Sequence, residues 1–307
     1  MKIPRRSYTW RNVERDTASE IRSSLLERGW KEDQIKSYKE EWRIKTEGIN
    51  IIFYRNGTFF ISYSDRSVLE FVNVWRLIRD RLGSRYLLPE KEVLIGLDET
   101  GKGEVIGSII LAGVIFPSEI FFDLDLDIDN VDTKSSHSFD YWDRIGKEIM
   151  NFRPRGFNFI VNKILPLEIE SNNVNRIMDS RYKKILSEIL QDIPLDRCRI
   201  VIDDYGVDGE LMPFLENIRE KGASVFITSG SEDIFLETRI ASIIAKWERM
   251  KELKDIGISF GSGNLNDRST INWLEEWYKV HRDWPWFVKR SFQTIKRIEK
   301  SFYNGGR

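Results

Sequence analysis

Val93-Leu-Ile-Gly-Leu-Asp-Glu-Thr-Gly-Lys-Gly-Glu104 is the stretch of this 307-residue chain on which its fold turns. Five apolar or small residues lead into two adjacent acids, and the acids run straight into Thr-Gly-Lys-Gly. A buried strand ending in carboxylates beside a pliable backbone is the simplest reading. Neighbouring carboxylates repel unless a cation, a proton or a basic group compensates, so Asp98 and Glu99 mark a place where charge must be answered.

Two more places share that form. Arg199-Ile-Val-Ile-Asp-Asp204 is again an apolar strand closing in acid, and Ser231-Glu-Asp233 stands just before the helical run Ile240-Ala-Ser-Ile-Ile-Ala-Lys246. If strands 93–98 and 198–203 are same-sense neighbours, their terminal acids meet at one sheet edge, where open α/β sheets keep their sites. Four carboxylates there suit two magnesium ions, since hard oxygen ligands match that ion and paired metals serve phosphodiester hydrolysis.

A rival uses the same residues. Gly96-Leu-Asp-Glu-Thr-Gly-Lys102 fits the Gly-x4-Gly-Lys pattern of a P-loop nucleotide hydrolase. Against it, Gly103 stands where Ser or Thr must hold magnesium, and Asp98 and Glu99 would lie inside the phosphate cradle and repel the anion. The following segment, Val105-Ile-Gly-Ser-Ile-Ile-Leu-Ala-Gly-Val-Ile-Phe116, is β-branched and reads as a strand, not as a helix whose N-terminus could bind phosphate.

Working outward, strands are expected at 93–98, 106–116, 158–164, 198–203 and 224–228. Helices are expected at 140–151, 173–191, 209–221, 235–253, 268–280 and 291–302. Strands followed by βα alternation indicate an α/β layer fold with a mixed sheet. Before it, Thr17–Trp30 reads as a helix with Thr17 as its N-cap. Ile49–Tyr54 and Thr58–Tyr63 form a hairpin around Arg55-Asn-Gly57. A helix over 67–82, with Leu69, Val72, Val74, Trp75 and Ile78 buried, closes a small α/β module, and 82–89 is a linker. The expected domains are therefore 1–85 and 92–307.

Composition limits the chemistry. One cysteine, Cys198, excludes an internal disulfide and a multi-thiolate zinc site, and two histidines, His137 and His281, leave little imidazole for metal. The longest apolar run, 105–117, is short and glycine-interrupted, and the start Met-Lys-Ile-Pro-Arg-Arg has no apolar leader core, so no membrane partner and a cytoplasmic location are expected. The net charge is −1, yet residues 1–90 hold 18 Lys/Arg against 13 Asp/Glu, and 279–307 hold 8 against 2, interleaved with Trp284, Trp286, Phe287, Phe292 and Phe302. The acidic run 121–130 balances them. Basic ends around an acid-bearing centre suit a polyanion gripped at its flanks.

Gly96-Leu-Asp-Glu-Thr-Gly-Lys-Gly103 resembles the Asp-Glu-x-Gly-x-Gly signature of type 2 ribonucleases H, the ribonuclease HII and HIII family. In family order, Asp132-Thr-Lys-Ser135 resembles an Asp-Ser-Lys-Lys segment and Asn173-Val-Asn175 an Asn-rich helix start. Val201-Ile-Asp203 resembles the strand ending in the third acid, Ala241-Ser-Ile-Ile-Ala-Lys246 the Ala-Ala-Ser-Ile-x-Ala-Lys helix, and Phe260-Gly-Ser-Gly263 through Ser291-Phe-Gln-Thr294 the C-terminal part of archaeal ribonuclease HII. The resemblance spans about 92–300. It implies a ribonuclease H-like mixed sheet flanked by helices. It also implies an endonuclease that hydrolyses the RNA strand of RNA/DNA hybrids by two-metal-ion catalysis with Mg2+ or Mn2+, leaving 5′-phosphate and 3′-hydroxyl ends; a monomer is expected, although the sequence does not fix the oligomeric state.

Carried over by position, Asp98, Glu99, Asp203 and Glu232 are the catalytic metal ligands, with Asp233 the contender for the fourth. The Gly101-Lys102-Gly103 turn resembles the turn that approaches the substrate 2′-hydroxyl, the group that distinguishes RNA from DNA. Lys134, Lys246 and Arg290 are phosphate-contact candidates. Two departures qualify the match. Glu104 replaces the proline usual in ribonuclease HII, as in ribonuclease HIII, and Asn264 replaces a tyrosine expected to pack on the nucleotide at an RNA–DNA junction. The module at 1–85 resembles the small substrate-binding domain of ribonuclease HIII, related in shape to half of the TATA-binding protein. Together these favour cleavage of longer RNA stretches over single-ribonucleotide junctions. A catalytically weak hybrid-binding protein is the alternative, with the P-loop hydrolase a distant third.

Overall fold

The computed structural model describes residues 5–64, 74, 77–78, 81–82, 86, 89–128, 131–133, 137–170 and 172–304. The chain divides into two compact units, Met1–Arg85 and Tyr86–Arg307.

The first unit is built on a four-stranded antiparallel sheet in the order β1-β4-β3-β2: β1 (Arg5–Trp10), β2 (Glu40–Lys45), β3 (Ile49–Tyr54) and β4 (Phe59–Ser64). Alternation along β3 and β4 puts Ile49, Ile51, Phe53, Phe59, Ile61 and Tyr63 in its core, with Ala18, Ile21 and Leu25 of helix α1 (Arg15–Glu27) also buried. The hairpin around Arg55-Asn-Gly57 forms as its turn signal requires. Helix α1 begins before Thr17, which therefore lies inside the first turn and is not the N-cap; Glu14 holds that position. Of the helix expected over 67–82, Val74, Leu77 and Ile78 are buried, while Leu69, Val72 and Trp75 lie outside the described residues.

The second unit centres on a five-stranded mixed sheet in the order β7-β6-β5-β8-β9: β5 (Val93–Thr100), β6 (Ile109–Pro117), β7 (Asn158–Ile164), β8 (Cys198–Asp203) and β9 (Ser224–Thr228). β5 pairs antiparallel with β6 and parallel with β8. Its helices are α2 (Phe121–Ile128), α3 (Phe139–Met150), α4 (Pro166–Glu170), α5 (Val174–Ile189), α6 (Leu211–Glu220), α7 (Leu236–Ile256), α8 (Arg268–His281) and α9 (Gln293–Asn304). Side chains alternate between the sheet's two faces. Leu94, Ile110, Ala112 and Val114 enter one core with α2, α3 and α7, whereas Ile95, Leu97, Leu111, Ile200 and Ile202 enter another with α5 and α6. This is the expected mixed sheet flanked by helices.

Two glycines set how closely the layers approach. A Cβ on Gly96 would run into the backbone of Glu237 at the start of α7, and one on Gly113 into the Ile185 side chain of α5. The start of α7 is fixed electrostatically as well: buried Arg199 of β8 grips buried Glu237 through Nε (2.6 Å) and Nη2 (3.0 Å) and reaches Glu90 through Nη1 (2.9 Å). Such a two-pronged pair holds both distance and orientation.

A third cluster gathers Val105, Ile106, Phe260, Leu274, Tyr278, Trp284, Phe287 and Val288 with the C-terminal helices. Most of the aromatics noted at 284–302 therefore serve packing, Trp284 and Phe287 buried and Phe292 and Phe302 against them, while Trp286 stays 58% exposed. Among the described residues no helix is long and apolar enough to cross a membrane.

Candidate active site

Parallel pairing with β8 ends at Leu97 opposite Ile202, so Asp98 and Glu99, still in β5 and paired there with β6, come just past it beside Asp203, the last residue of β8. Asp203 Oδ1 accepts from the backbone N–H (2.8 Å) and hydroxyl (2.9 Å) of buried Ser231, which ties the turn Ser231–Asp233 to that edge. The same turn carries Glu232, whose Oε2 accepts from Thr133 Oγ1 (3.1 Å) and lies 3.9 Å from Arg239. Asp233, the contender, is exposed.

The acids at this edge are short of positive charge. Burial drives the Asp98 carboxyl well above the usual range, with Glu99 and Asp203 adding to the push and Lys246 and Ser242 opposing it. Burial likewise raises Glu99 to about 7; Lys102 pulls it down and Asp203 pushes it up. Lys246 donates to Ser242 Oγ (2.7 Å), which makes Ser242 the link between the lysine and Asp98. Tyr182 of α5 donates to Glu99 Oε2 (3.2 Å), and burial keeps that phenol protonated.

Among the described residues, no three His, Cys, Asp or Glu side chains stand as a metal-holding group in these side-chain positions. The donor chemistry nevertheless fits a hard divalent cation. Asp98, Glu99 and Asp203 act on one another at adjoining strands, where burial and mutual repulsion are only partly answered by two lysines, and the turn bearing Glu232 is tied to Asp203 through Ser231.

Gly101 has φ +92°, in the left-handed region, and a Cβ there would press on the Ser108 carbonyl and Arg249. Gly103 faces open space. Lys102 folds back so that Nζ donates to the Tyr205 carbonyl (3.1 Å) and lies 5.5 Å from the Tyr205 ring centroid. Arg290 is engaged by Glu170 (3.4 Å), Asp283 (3.2 Å) and the Trp284 carbonyl (3.0 Å). Lys134 lies outside the described residues. Thr100, Glu104, Thr133, His137, Lys246 and Asn264 help line a cleft of about 280 Å³.

Sequence reading passed over Tyr182, Ser231, Arg249, Glu252 and Lys289. Ser231 and Ser242 sit in motifs already singled out, so a signal existed for them. Tyr182 is one more polar-edged residue of a helix, and only the fold brings it to Glu99.

No protein-family model matches the chain. Ribonuclease HII of Sulfurisphaera tokodaii is 30% identical over 216 residues, covering 69% of this chain and 98% of that protein. Ribonuclease HII of Methanothrix thermoacetophila is 28% identical over 220 residues, covering 68% and 98%. The crystal structure of ribonuclease H2 from Pyrococcus horikoshii superposes with a TM-score of 0.57 at 25% identity, over 69% of this chain and 99% of that one. Bst-RNase HIII in complex with Mn2+ gives a TM-score of 0.60 at 15% identity, a likeness of fold alone, over 96% of this chain and 99% of that one.

Proposed function

Because the chain belongs to the type 2 ribonuclease H family as a relative of ribonuclease HII, an endonuclease family acting on RNA/DNA hybrids, we propose that it cuts the RNA strand within longer ribonucleotide stretches, as ribonuclease HIII does. The observation that carries this is the pair of same-sense strand ends delivering Asp98, Glu99 and Asp203 to one under-neutralised edge. Asp98, Glu99, Asp203 and Glu232 would hold two divalent ions, Mg2+ or Mn2+. Glu232 is preferred to Asp233 because it is the partly buried member of a turn already tied to Asp203. When bound, such ions make water a nucleophile at neutral pH and stabilise the leaving oxygen, which gives 5′-phosphate and 3′-hydroxyl ends.

The chain's own residues divide the remaining work. Tyr182 orients Glu99, and Ser231 orients Asp203. Lys246 and Lys102 offset part of the negative charge that a phosphate would otherwise meet. The turn at Gly101-Lys102-Gly103 lets backbone approach a ribose 2′-hydroxyl, since Gly103 opens on free space.

Two observations support the longer-stretch preference. Asn264 leaves the cleft without a ring at that position. The likeness to Bst-RNase HIII extends over 96% of the chain, so it takes in most of the first unit, whereas the ribonuclease HII matches cover about two thirds. In that unit Lys36, Lys45, Asn50, Phe60 and Ser62 help line a concavity of about 550 Å³ on the sheet face opposite the core, with Arg43 there paired to buried Glu40, a surface whose two lysines and one ring suit a nucleic-acid backbone.

Cleavage mapping on three labelled duplexes, carrying one, four or many ribonucleotides, tests the proposal. Cutting is expected on the longer two with Mg2+ or Mn2+ and is expected to fall about a thousandfold or more in Asp203→Asn. Binding with no cleavage by the wild type, retained in Asp203→Asn, would make the protein a hybrid binder instead. Residues 86–307 alone should bind the longest duplex less tightly than the full chain; equal affinity would remove the first unit from substrate binding.

A further inference from the structure

The loop 101–108 joins β5 to β6, and its hydrogen bonds have an unusual direction. Lys289, a buried lysine, donates through Nζ to the Gly101 carbonyl and to the Glu104 carbonyl (2.7 Å). Arg249 of α7, also buried, donates to the Ser108 carbonyl (3.1 Å) and the Ile106 carbonyl (2.8 Å). Glu252, one helical turn on, accepts from the Ser108 N–H and hydroxyl at 2.8 Å each. Backbone bonds stitch the same loop to the C-terminal segment: Lys289 N–H to Val105 O (2.9 Å) and Gly107 N–H to Phe287 O (2.7 Å).

Four loop carbonyls are thus drawn inward onto two buried cations, while the tip at Gly103 stays open. Burying an ammonium costs free energy that a packing role alone would not require, and a methionine would fill the space without that cost. Burial and the nearby Arg249 lower the Lys289 ammonium to about 7, with Glu104 and Glu252 pulling the other way. Both cations act on the root of one loop.

We propose that Lys289, backed by Arg249, is a positioning residue for substrate selection: by holding the Gly101 and Glu104 carbonyls inward it keeps the backbone N–H groups of 101–103 turned toward the ribose 2′-hydroxyl of the RNA strand. The recognition half of this rests on the ribonuclease reading above; the loop-holding half does not. Removing the ammonium leaves four-carbon packing intact but frees two carbonyls, so the loop samples other conformations while the sheet is unaffected.

The test uses the full chain, wild type and Lys289→Met, with Lys289→Gln, whose side chain is one atom too short to place a donor between the Gly101 and Glu104 carbonyls, as the second variant should the first fail to fold. Amide hydrogen exchange is followed across 101–108 and across β5 and β8. Affinity is measured, without divalent cation, for an RNA/DNA hybrid and for a DNA duplex of the same sequence. The expected result is about tenfold faster exchange confined to 101–108 and about tenfold loss of hybrid affinity, with DNA-duplex affinity within about twofold of wild type. Unchanged exchange in the loop overturns the holding role. Faster exchange with an undiminished hybrid preference overturns the role in selection. A wild type that does not prefer the hybrid overturns the ribonuclease reading itself, a result separate from either.

Discussion

The parallel pair β5 and β8 carries buried charge at both ends, and the two ends are built in opposite ways. At one end, beside Leu94, Arg199 meets Glu237 through two hydrogen bonds and Glu90 through a third. At the other, Asp98, Glu99 and Asp203 face one another, with lysines that act only at longer range. The first end is complete within the chain. The second is stable only to the degree that burial is tolerated, and it gains from any cation brought from outside. A fold that pairs a buried acid with a cation at one end of a strand, and leaves acids without a close cation at the other, marks the second end as the candidate for function.

The largest effect is expected at the closed end. Arg199→Met strands Glu237 in the core and is expected to cost about 3–5 kcal/mol, read as a fall in urea midpoint at constant m, whereas Arg199→Met with Glu237→Met should recover most of that loss. Failure of the second change to recover it would mean that the pair positions α7 and does more than neutralise itself.

At the open end the sign reverses. Glu99 titrates at about 7 folded against 4.5 in the unfolded chain, so the folded state holds the extra proton between those values. Metal-free stability therefore falls as pH rises from 4.5 to about 7, and the penalty above that is on the order of 3 kcal/mol. Glu99→Gln should melt several degrees higher than wild type near pH 8 without metal, and no higher near pH 4.5. Mn2+ should raise the wild-type melting temperature near pH 8 more than that of the variant. Equal response would detach Glu99 from the metal.

The smallest effect sharpens the contrast. Tyr182→Phe removes a phenol that donates to Glu99 and should change folding stability by only about 1 kcal/mol, because little of Glu99's charge is answered by it. Hybrid cleavage should fall by more than that stability change accounts for, measured as kcat at saturating Mn2+.

Much of the open end was legible in advance because each acid follows an apolar strand, and a parallel neighbour then suffices to bring Asp98 and Asp203 together. The closed end and the loop supports were not. Glu237, Arg239, Arg249 and Glu252 recur on α7 like the solvated charges of a surface helix, yet all are buried; their partners at Arg199, Thr133 and Ser108 lie 38, 106 and 144 residues away. Local pattern also misled at 121–128. Phe-Phe-Asp-Leu-Asp-Leu-Asp-Ile alternates as a strand would and stood out only for its charge, but it folds as α2 with Phe121, Leu124 and Ile128 on the buried stripe. In the first unit, β1 and β2 mix charged and apolar residues too evenly to announce themselves, and only pairing with β4 and β3 defines them.

Lys289 reaches back 188 residues to its carbonyl on the loop. During synthesis the chain leaves the ribosome from its N-terminus, so Asp98, Glu99, Asp203 and Glu232 are all available before Lys289, which donates to the loop beside Asp98 and Glu99, has been made. A nascent chain therefore passes through a stage with its acids in hand and the loop 101–108 not yet held by Lys289. On the role proposed for Lys289, selectivity is the last property to be assembled, and a chain truncated before 289 would be expected to lose discrimination before it loses its sheet.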